Sequence, residues 1–286
     1  MFKILERQNL TPTVYSFKIE APQVARKARA GQFVILRIDD KGERIPLTIA
    51  DWDPKEGSVN IVFMAVGTET KYLSTLKAGD SIADFVGPLG RPTEIENYGT
   101  VVCVGGGVGV APVFPIARGL KQAGNRVITV MGARCLDLLF WEDKLRQASS
   151  ELIVTTDDGS YARKGVVTVP LKEVLDRKEK VGLVVAIGPA IMMKFCAVTT
   201  KPYGVKTIVS LNPIMVDGTG MCGCCRVEVG GITRFGCVDG PDFDGHQVDW
   251  DGLVARQRTY LEQEKLSLAA WEKEHADYAT ASTEAK

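Results

Sequence analysis

The sequence predicts a multi-domain chain: a β-barrel domain, then an α/β doubly wound domain, then a small C-terminal loop domain built on cysteine. Three observations predict this order. Up to about residue 95, short apolar-alternating segments are separated by glycine turns. From about residue 98, apolar strands alternate with helical stretches, and the first runs straight into a glycine-rich turn. Further on, four of the seven cysteines crowd between residues 222 and 237. The expected boundaries are 1–97 for the barrel, 98–212 for the α/β domain, 213–250 for the cysteine loop domain and 251–286 for a helical tail.

A chain of 286 residues suits two or three such domains. Lysine plus arginine equals aspartate plus glutamate at 35 each, which offers no basic face to nucleic acid. No apolar run approaches the roughly 20 residues that span a bilayer, so no membrane segment is expected. The first residues alternate like a strand, without signal-peptide architecture. A cytoplasmic setting is the expectation, and reduced thiols there point to metal ligation.

In the barrel, strands are expected at 2–5, 14–19, 32–36, 59–63 and 81–85, where β-branched and aromatic residues alternate with polar ones. A helix over 68–76 follows Gly67, and a glycine followed by Thr68 and Thr70 at a helix start offers N–H groups and hydroxyls to a phosphate. An ordinary capped helix is the plainer reading of the same residues. Arg44-Ile-Pro-Leu-Thr48 is expected to close one strand and Gly87-Pro-Leu-Gly90 another. Arginine pairs with pyrophosphate, and the Pro46-Leu47-Thr48 backbone suits the flat side of an aromatic ring.

In the α/β domain, strands are expected at 100–104, 127–130, 152–155, 183–187 and 206–209. The first enters Gly105-Gly106-Gly107-Val-Gly109-Val-Ala111-Pro112 and then a helix to about residue 123. Such a turn lets a pyrophosphate approach the backbone and the helix N-terminus. Gly188-Pro189-Ala-Ile-Met192 opens the helix after a later strand. Arg134 follows the second main strand, and residues 157–160 form a turn at the same edge. Cys103, Cys135 and Cys196 read as small core residues. His246 and His275 receive no role.

The cysteine loop carries Cys222 and Cys225 as C-x-x-C, with Cys237 after a hairpin-like run over 226–234. Asp217 stands four residues before Cys222, where a plant-type [2Fe-2S] pattern has its first cysteine. Asp217, Cys222, Cys225 and Cys237 form a candidate cluster site with one oxygen donor. Zinc and disulfides compete with this reading. A second Cys/His pair for zinc is missing, and disulfides do not suit a reducing compartment. Cys224 is the spare thiol. Residues 241–245 read as another turn, and 251–276 as one helix, with 280–286 fraying.

The barrel and nucleotide motifs resemble those of the ferredoxin–NADP reductase superfamily. That resemblance implies FAD on Arg44, Pro46, Leu47, Thr48, Gly67, Thr68 and Thr70. It implies a nicotinamide dinucleotide, expected to be NAD(H), on Gly105, Gly106, Gly107, Gly109, Ala111, Pro112, Gly188 and Pro189. The cysteine that usually precedes the Gly-Pro pair in the superfamily is Ile187 here, and no catalytic side chain is assigned. Barrel, nucleotide domain and C-terminal [2Fe-2S] loop together resemble the small (alpha) subunits of NADH-dependent ferredoxin:NADP oxidoreductases of the sulfide dehydrogenase type. Electron-transfer subunits of dihydroorotate dehydrogenase B are the alternative, separated by their fourth cysteine in place of Asp217. The resemblance implies a heterodimer with a larger FAD and [4Fe-4S] subunit, which would carry the ferredoxin and NADP(H) sites and any electron bifurcation. A non-catalytic iron–sulfur redox sensor is the rival of a different class.

Overall fold

The computed structural model describes residues 1–275. Seven strand segments build the first sheet: β1 (Phe2–Asn9), β2 (Val14–Glu20), β3 (Phe33–Arg37), β4 (Ile45–Asp53), β5 (Ser58–Met64), β6 (Ser81–Ile82) and β7 (Asp84–Leu89). They pair antiparallel in the order β6-β1-β2-β5-β4-β3-β7. The single strand expected over 81–85 is broken at Ala83, so that β6 pairs with β1 and β7 with β3 at opposite ends of this order. The Ala83 N–H donates to the Ile38 carbonyl at 3.0 Å, and one continuous chain nearly closes the sheet into a barrel. Inward residues of every strand meet inside, among them Phe17, Ile19, Leu36, Ile49, Ile61 and Phe63. Each such side chain contributes about 1.5–3 kcal/mol by leaving water. Two short helices, α1 (Pro22–Ala25) and α2 (Thr68–Thr75), lie on the barrel.

The second sheet is parallel through most of its width. Its strands are β8 (Thr100–Gly106), β9 (Arg126–Ala133), β10 (Glu151–Thr156), β11 (Arg163–Lys164), β12 (Val181–Ile187) and β13 (Lys206–Ser210), joined by α3 (Val110–Gln122), α4 (Glu142–Ala148), α5 (Thr168–Leu175) and α6 (Ala190–Thr200). The order β11-β10-β9-β8-β12-β13 reverses direction between β8 and β12. A ligand crevice is expected at the carboxyl ends of those two strands. Cys103 and Cys196 are core residues, whereas Cys135 is half-buried just past β9 and is not.

The cysteine loop holds a two-stranded hairpin, β14 (Arg226–Val229) and β15 (Ile232–Phe235). Residues 241–245 are not a simple turn, because Asp242–Asp244 form β16, an antiparallel edge strand on β13. Local turn residues lose there to the free hydrogen-bonding edge of the sheet. The tail is two helices, α7 (Trp250–Gln257) and α8 (Leu261–Glu274), where one was expected. The Thr259 hydroxyl donates to the Arg256 carbonyl at 2.8 Å as α7 ends. Trp250 and Leu253 of α7 are buried, but α8 buries no residue, and Leu266 is 73% exposed. The expected fraying of 280–286 lies outside the described residues. Among the described residues no helix is long and apolar enough to cross a membrane.

Candidate functional site

The barrel face of the site is assembled from β4 and the start of α2. Arg44-Ile-Pro-Leu-Thr48 opens β4; it does not close a strand as expected. In the β3–β4 register, Pro46 lies opposite Ile35, Leu47 opposite Val34 and Thr48 opposite Phe33. Arg44 is exposed just before the strand, while Pro46, Leu47 and Thr48 are half-buried. Glu69 in the first turn of α2 packs against the turn before β4, its Oε2 3.3 Å from where a Cβ on Gly42 would stand, so the Arg44 segment lies beside the α2 N-terminus. Burial pushes the Glu69 carboxyl above its ordinary pKa, which weakens a charge that would oppose an anion there. Gly67 caps α2, and a Cβ built on it meets nothing within 4 Å, so space is open over the helix start. The Thr70 hydroxyl accepts the Val66 and Gly67 N–H groups, each at 3.0 Å, and so acts as a helix cap. Thr68 faces α8 through a 2.9 Å contact between its hydroxyl and that of Ser267.

The nucleotide face sits where the sheet order reverses. Gly105 and Gly106 end β8, Gly107 to Gly109 make one 3-10 turn, and Ala111 and Pro112 begin α3. The glycines have different jobs. Gly107 has φ +55°, and a Cβ there meets nothing within 4 Å, which leaves an open cradle at the α3 N-terminus. A Cβ on Gly109 would stand 2.3 Å from the Ile187 carbonyl oxygen, so that glycine lets α3 pack against the end of β12. Gly188 and Pro189 lie across the crevice, with Met192 closing on the turn. Its sulfur would be 2.3 Å from a Cβ on Gly106 and 2.9 Å from one on Gly188. This open cradle, with the unpaired amides of a helix start behind it, fits a pyrophosphate.

The cysteine loop is folded flush onto the barrel. Cys225 and Cys237 are buried at 2% and 1% exposure, with their sulfurs 3.1 Å apart. They pack with Met215 against Phe33 and Ile35 of β3. A Cβ on Gly218 would meet Ile35 and Leu89 at 2.8 Å, so only glycine lets the loop approach this closely. Burial, with the Cys225 thiol beside it, pushes the Cys237 thiol up to about 12. Two adjacent buried sulfurs do not ionise together unless a cation compensates them, which is what a metal centre supplies. Cys222 is exposed on the outer lip of the loop.

The Asp217 carboxylate accepts N–H groups of Thr219 at 3.0 Å, Met221 at 3.1 Å and Cys222 at 3.0 Å. These amides, Thr219 foremost, hold its pKa below the usual carboxylate range. The Cys224 N–H points at the Cys222 sulfur and the Cys237 N–H at the Cys225 sulfur, both at 3.4 Å. Among the described residues no three His, Cys, Asp or Glu side chains converge closely enough to enclose a single metal ion. Three thiols and a carboxylate gathered on one glycine-rich loop nonetheless fit a cluster in donor chemistry, with amides already aimed at the sulfurs. No cysteine pair is a disulfide.

Several supporting residues carry no local sequence signal. Arg256 of α7 donates to the Cys224 carbonyl at 3.0 Å, and the Arg91 side chain to that of Val238 at 3.1 Å. Phe33 and Ile35, which back the cysteines, read in the sequence only as ordinary strand residues.

Comparison with known proteins agrees with this geometry. Residues 212–249 match the iron-sulfur cluster binding domain of dihydroorotate dehydrogenase B. The chain is 53% identical to a Thermotoga maritima homolog of the dihydroorotate dehydrogenase B (NAD(+)) electron transfer subunit, over 93% of each protein. It is 32% identical to the electron transfer subunit of that enzyme from Desulforamulus reducens, over 87% of this chain and 97% of the relative. It superposes with a TM-score of 0.90, at 50% identity, on a chain of the NADH-dependent reduced ferredoxin–NADP oxidoreductase solved in a study of flavin-based electron bifurcation, covering 95% of this chain and 98% of that one. The chain is thus an oxidoreductase component with a flavin- and nicotinamide-binding reductase fold and a C-terminal iron–sulfur domain, and it belongs to the family of dihydroorotate dehydrogenase B-type electron transfer subunits.

Proposed function

We propose that this chain is the small subunit of an NADH-dependent ferredoxin:NADP oxidoreductase, passing electrons between NAD(H) and a larger partner subunit through FAD and a [2Fe-2S] cluster. One observation carries the reading: the buried Cys225 and Cys237 rest on Phe33 and Ile35, whose cross-strand partners are Thr48 and Pro46. Adjacent strands lie about 4.8 Å apart. The flavin motif and the cluster loop therefore both border β3, and this adjacency supports electron transfer between the two sites. Flavin bound there would supply the conversion between two-electron nicotinamide chemistry and one-electron iron chemistry.

The protein's own residues do the holding. Arg44 and the α2 N-terminus would take the flavin pyrophosphate, and Pro46 to Thr48 would lie along its ring. The Gly107 cradle would seat the dinucleotide pyrophosphate, with Gly188 and Pro189 across the crevice. Asp217, Cys222, Cys225 and Cys237 would hold the cluster. The ferredoxin:NADP reading is supported by Asp217 at the first ligand position and by 50% identity to that enzyme's chain, although identity alone does not separate the branches, since the Thermotoga homolog of the dihydroorotate dehydrogenase B subunit is 53% identical.

The match over 212–249 favours the dihydroorotate branch as the second reading. The test is to purify the native complex anaerobically and identify the partner chain. The complex is then assayed with dihydroorotate and, separately, with NADPH plus ferredoxin. Bleaching by dihydroorotate alone would overturn the ferredoxin:NADP assignment. Absence of flavin from iron-replete protein would overturn both in favour of a sensor.

A further inference from the structure

We propose that Asp51 and Arg118 form an interdomain latch that sets the position of the nucleotide-binding turn relative to the barrel, and that both are positioning residues for electron transfer. The proposal rests on the reading of the Gly107 turn as the dinucleotide cradle and of β4 as part of the flavin face. Both elements converge on the latch. β4 carries Pro46 to Thr48 near its start and Asp51 near its end; α3 begins at the cradle and carries Arg118 two turns further on.

The β4–β5 register shifts between Ile49 and Asp51, a bulge in a barrel strand. Bulges re-aim side chains, and this one turns Asp51 out toward α3. Its Oδ1 accepts from the Arg118 guanidinium at 2.8 Å and from the Trp52 backbone N–H at 3.0 Å. The guanidinium lies between two rings, 5.5 Å from the centroid of Trp52 on the barrel and 5.0 Å from that of Phe114 on α3. Lys144 of α4 stands over the neighbouring rings, 5.5 Å from Phe114 and 4.0 Å from Trp141. Trp141 keeps φ at +60°, a costly conformation for a residue with a side chain, and its ring meets Phe114 edge-on.

The arrangement has a direction. Arg118 and Lys144 repel one another, and Asp51 faces both. Removing its charge leaves these two cations of the α/β domain without the barrel carboxylate that faces them.

Beneath the latch the two units share one apolar core, in which Val14, Ala50 and Val62 of the barrel meet Val110, Val113 and Phe114 of α3. That core holds the domains together, but its attraction is non-directional. The ion pair and its ring stack are directional, so they define the angle of α3. Reaction rates between bound groups fall about 100-fold for a misplacement of 1 Å.

The test uses the full chain loaded with FAD, in stopped-flow reduction by NADH, with Asp51→Asn, Arg118→Gln, Arg118→Lys and the reversal Asp51→Arg/Arg118→Asp. Hydrogen exchange of α3 is measured on the same proteins without flavin. The limiting rate of flavin bleaching at saturating NADH should fall roughly 10–100-fold in Asp51→Asn and Arg118→Gln. NADH affinity and flavin content should stay within about twofold, a split that loss of fold would not produce. Exchange in the second half of α3 should rise in the same two variants. Arg118→Lys, which keeps a cation over the rings, and the charge reversal should each recover most of the rate.

Unchanged rates and exchange in both single variants would overturn the latch. So would equal losses of rate, affinity and flavin without recovery in either rescue variant. If NADH fails to bleach the wild-type flavin, the functional reading falls, and the exchange of α3 alone decides the latch.

Discussion

Arg44 and Asp217 put the functional reading to its sharpest test at the scale of single residues. Arg44 is exposed beside an open helix start, where a guanidinium gains a charge-assisted contact only if an anion arrives. Arg44→Ala should cost about 1.5–3 kcal/mol of flavin binding, a roughly 10- to 150-fold rise in Kd, with iron content unchanged. Wild-type flavin occupancy in the purified variant would remove Arg44 from the site. Asp217 has two possible duties, because its carboxylate already accepts three loop amides. With the Thr219 hydroxyl at 3.4 Å these contacts fill the about four acceptor positions of a carboxylate, so binding iron would require Asp217 to release one of its loop contacts. Asp217→Cys replaces the oxygen donor by a thiolate and should still assemble a cluster, with a shifted visible and reduced-state EPR spectrum. An unchanged spectrum would make Asp217 only a turn residue, and the distinction from a four-cysteine site would go with it.

The glycine turn and α3 show how one sequence element divides between packing and binding. Gly109→Ala places a methyl group 2.3 Å from a backbone carbonyl that cannot move aside. Overpacking of this kind costs about 1–3 kcal/mol, which thermal unfolding would read as a drop of several degrees. Gly107 faces open space with a positive φ that asparagine tolerates. Gly107→Asn should keep its Tm within about 2 °C while NADH affinity falls at least tenfold, and calorimetric titration would measure it. Native affinity in Gly107→Asn would mean that the open cradle holds no dinucleotide. The run of glycines was legible in the sequence, but this division was not. It depends on Ile187 and Met192, some 80 residues away in the chain.

Across the whole molecule, β16 joins the cysteine loop to the α/β sheet while the loop's other side rests on the barrel. Asp242 lies at that junction, accepting from the Thr93 hydroxyl at 2.6 Å, and Thr93 is itself tied to the barrel through the Ala30 carbonyl. Burial pushes the Asp242 carboxyl up to about 6. The ordinary value is about 3.9, so the folded protein binds this proton more tightly than the unfolded chain does. Its contribution is fully present below about pH 4 and is lost as pH rises through about 6. A shift of this size corresponds to roughly 2–3 kcal/mol. Wild-type protein should therefore lose on the order of 4 °C in Tm relative to Asp242→Asn between pH 4 and pH 6.5. Parallel Tm profiles for the two proteins would show that the carboxyl titrates normally.

The sequence by itself determined the kinds of structure and most of the chemistry. Alternating segments such as β2 and β5, the glycine turn after β8 and the C-x-x-C of Cys222 and Cys225 are local patterns, and local backbone preference reads them directly. Helix α2 begins at Thr68 as expected, because Gly67 and Thr70 cap it whatever surrounds them. What the sequence could not convey were decisions made by partners distant in the chain. The break at Ala83 exists because two barrel edges compete for one segment. Asp242–Asp244 became a strand because β13 offered an unpaired edge. The expected apolar face of the tail failed in α8, which buries no residue and meets α2 through polar pairs, Thr68 with Ser267 and Lys71 with Glu272. Above all, only the tertiary structure put Cys225 and Cys237 on Phe33 and Ile35, the cross-strand neighbours of Thr48 and Pro46. Nothing near those cysteines encodes Phe33 or Ile35, because the hydrophobic effect that joins them is non-directional and acts on surfaces brought together only by the fold.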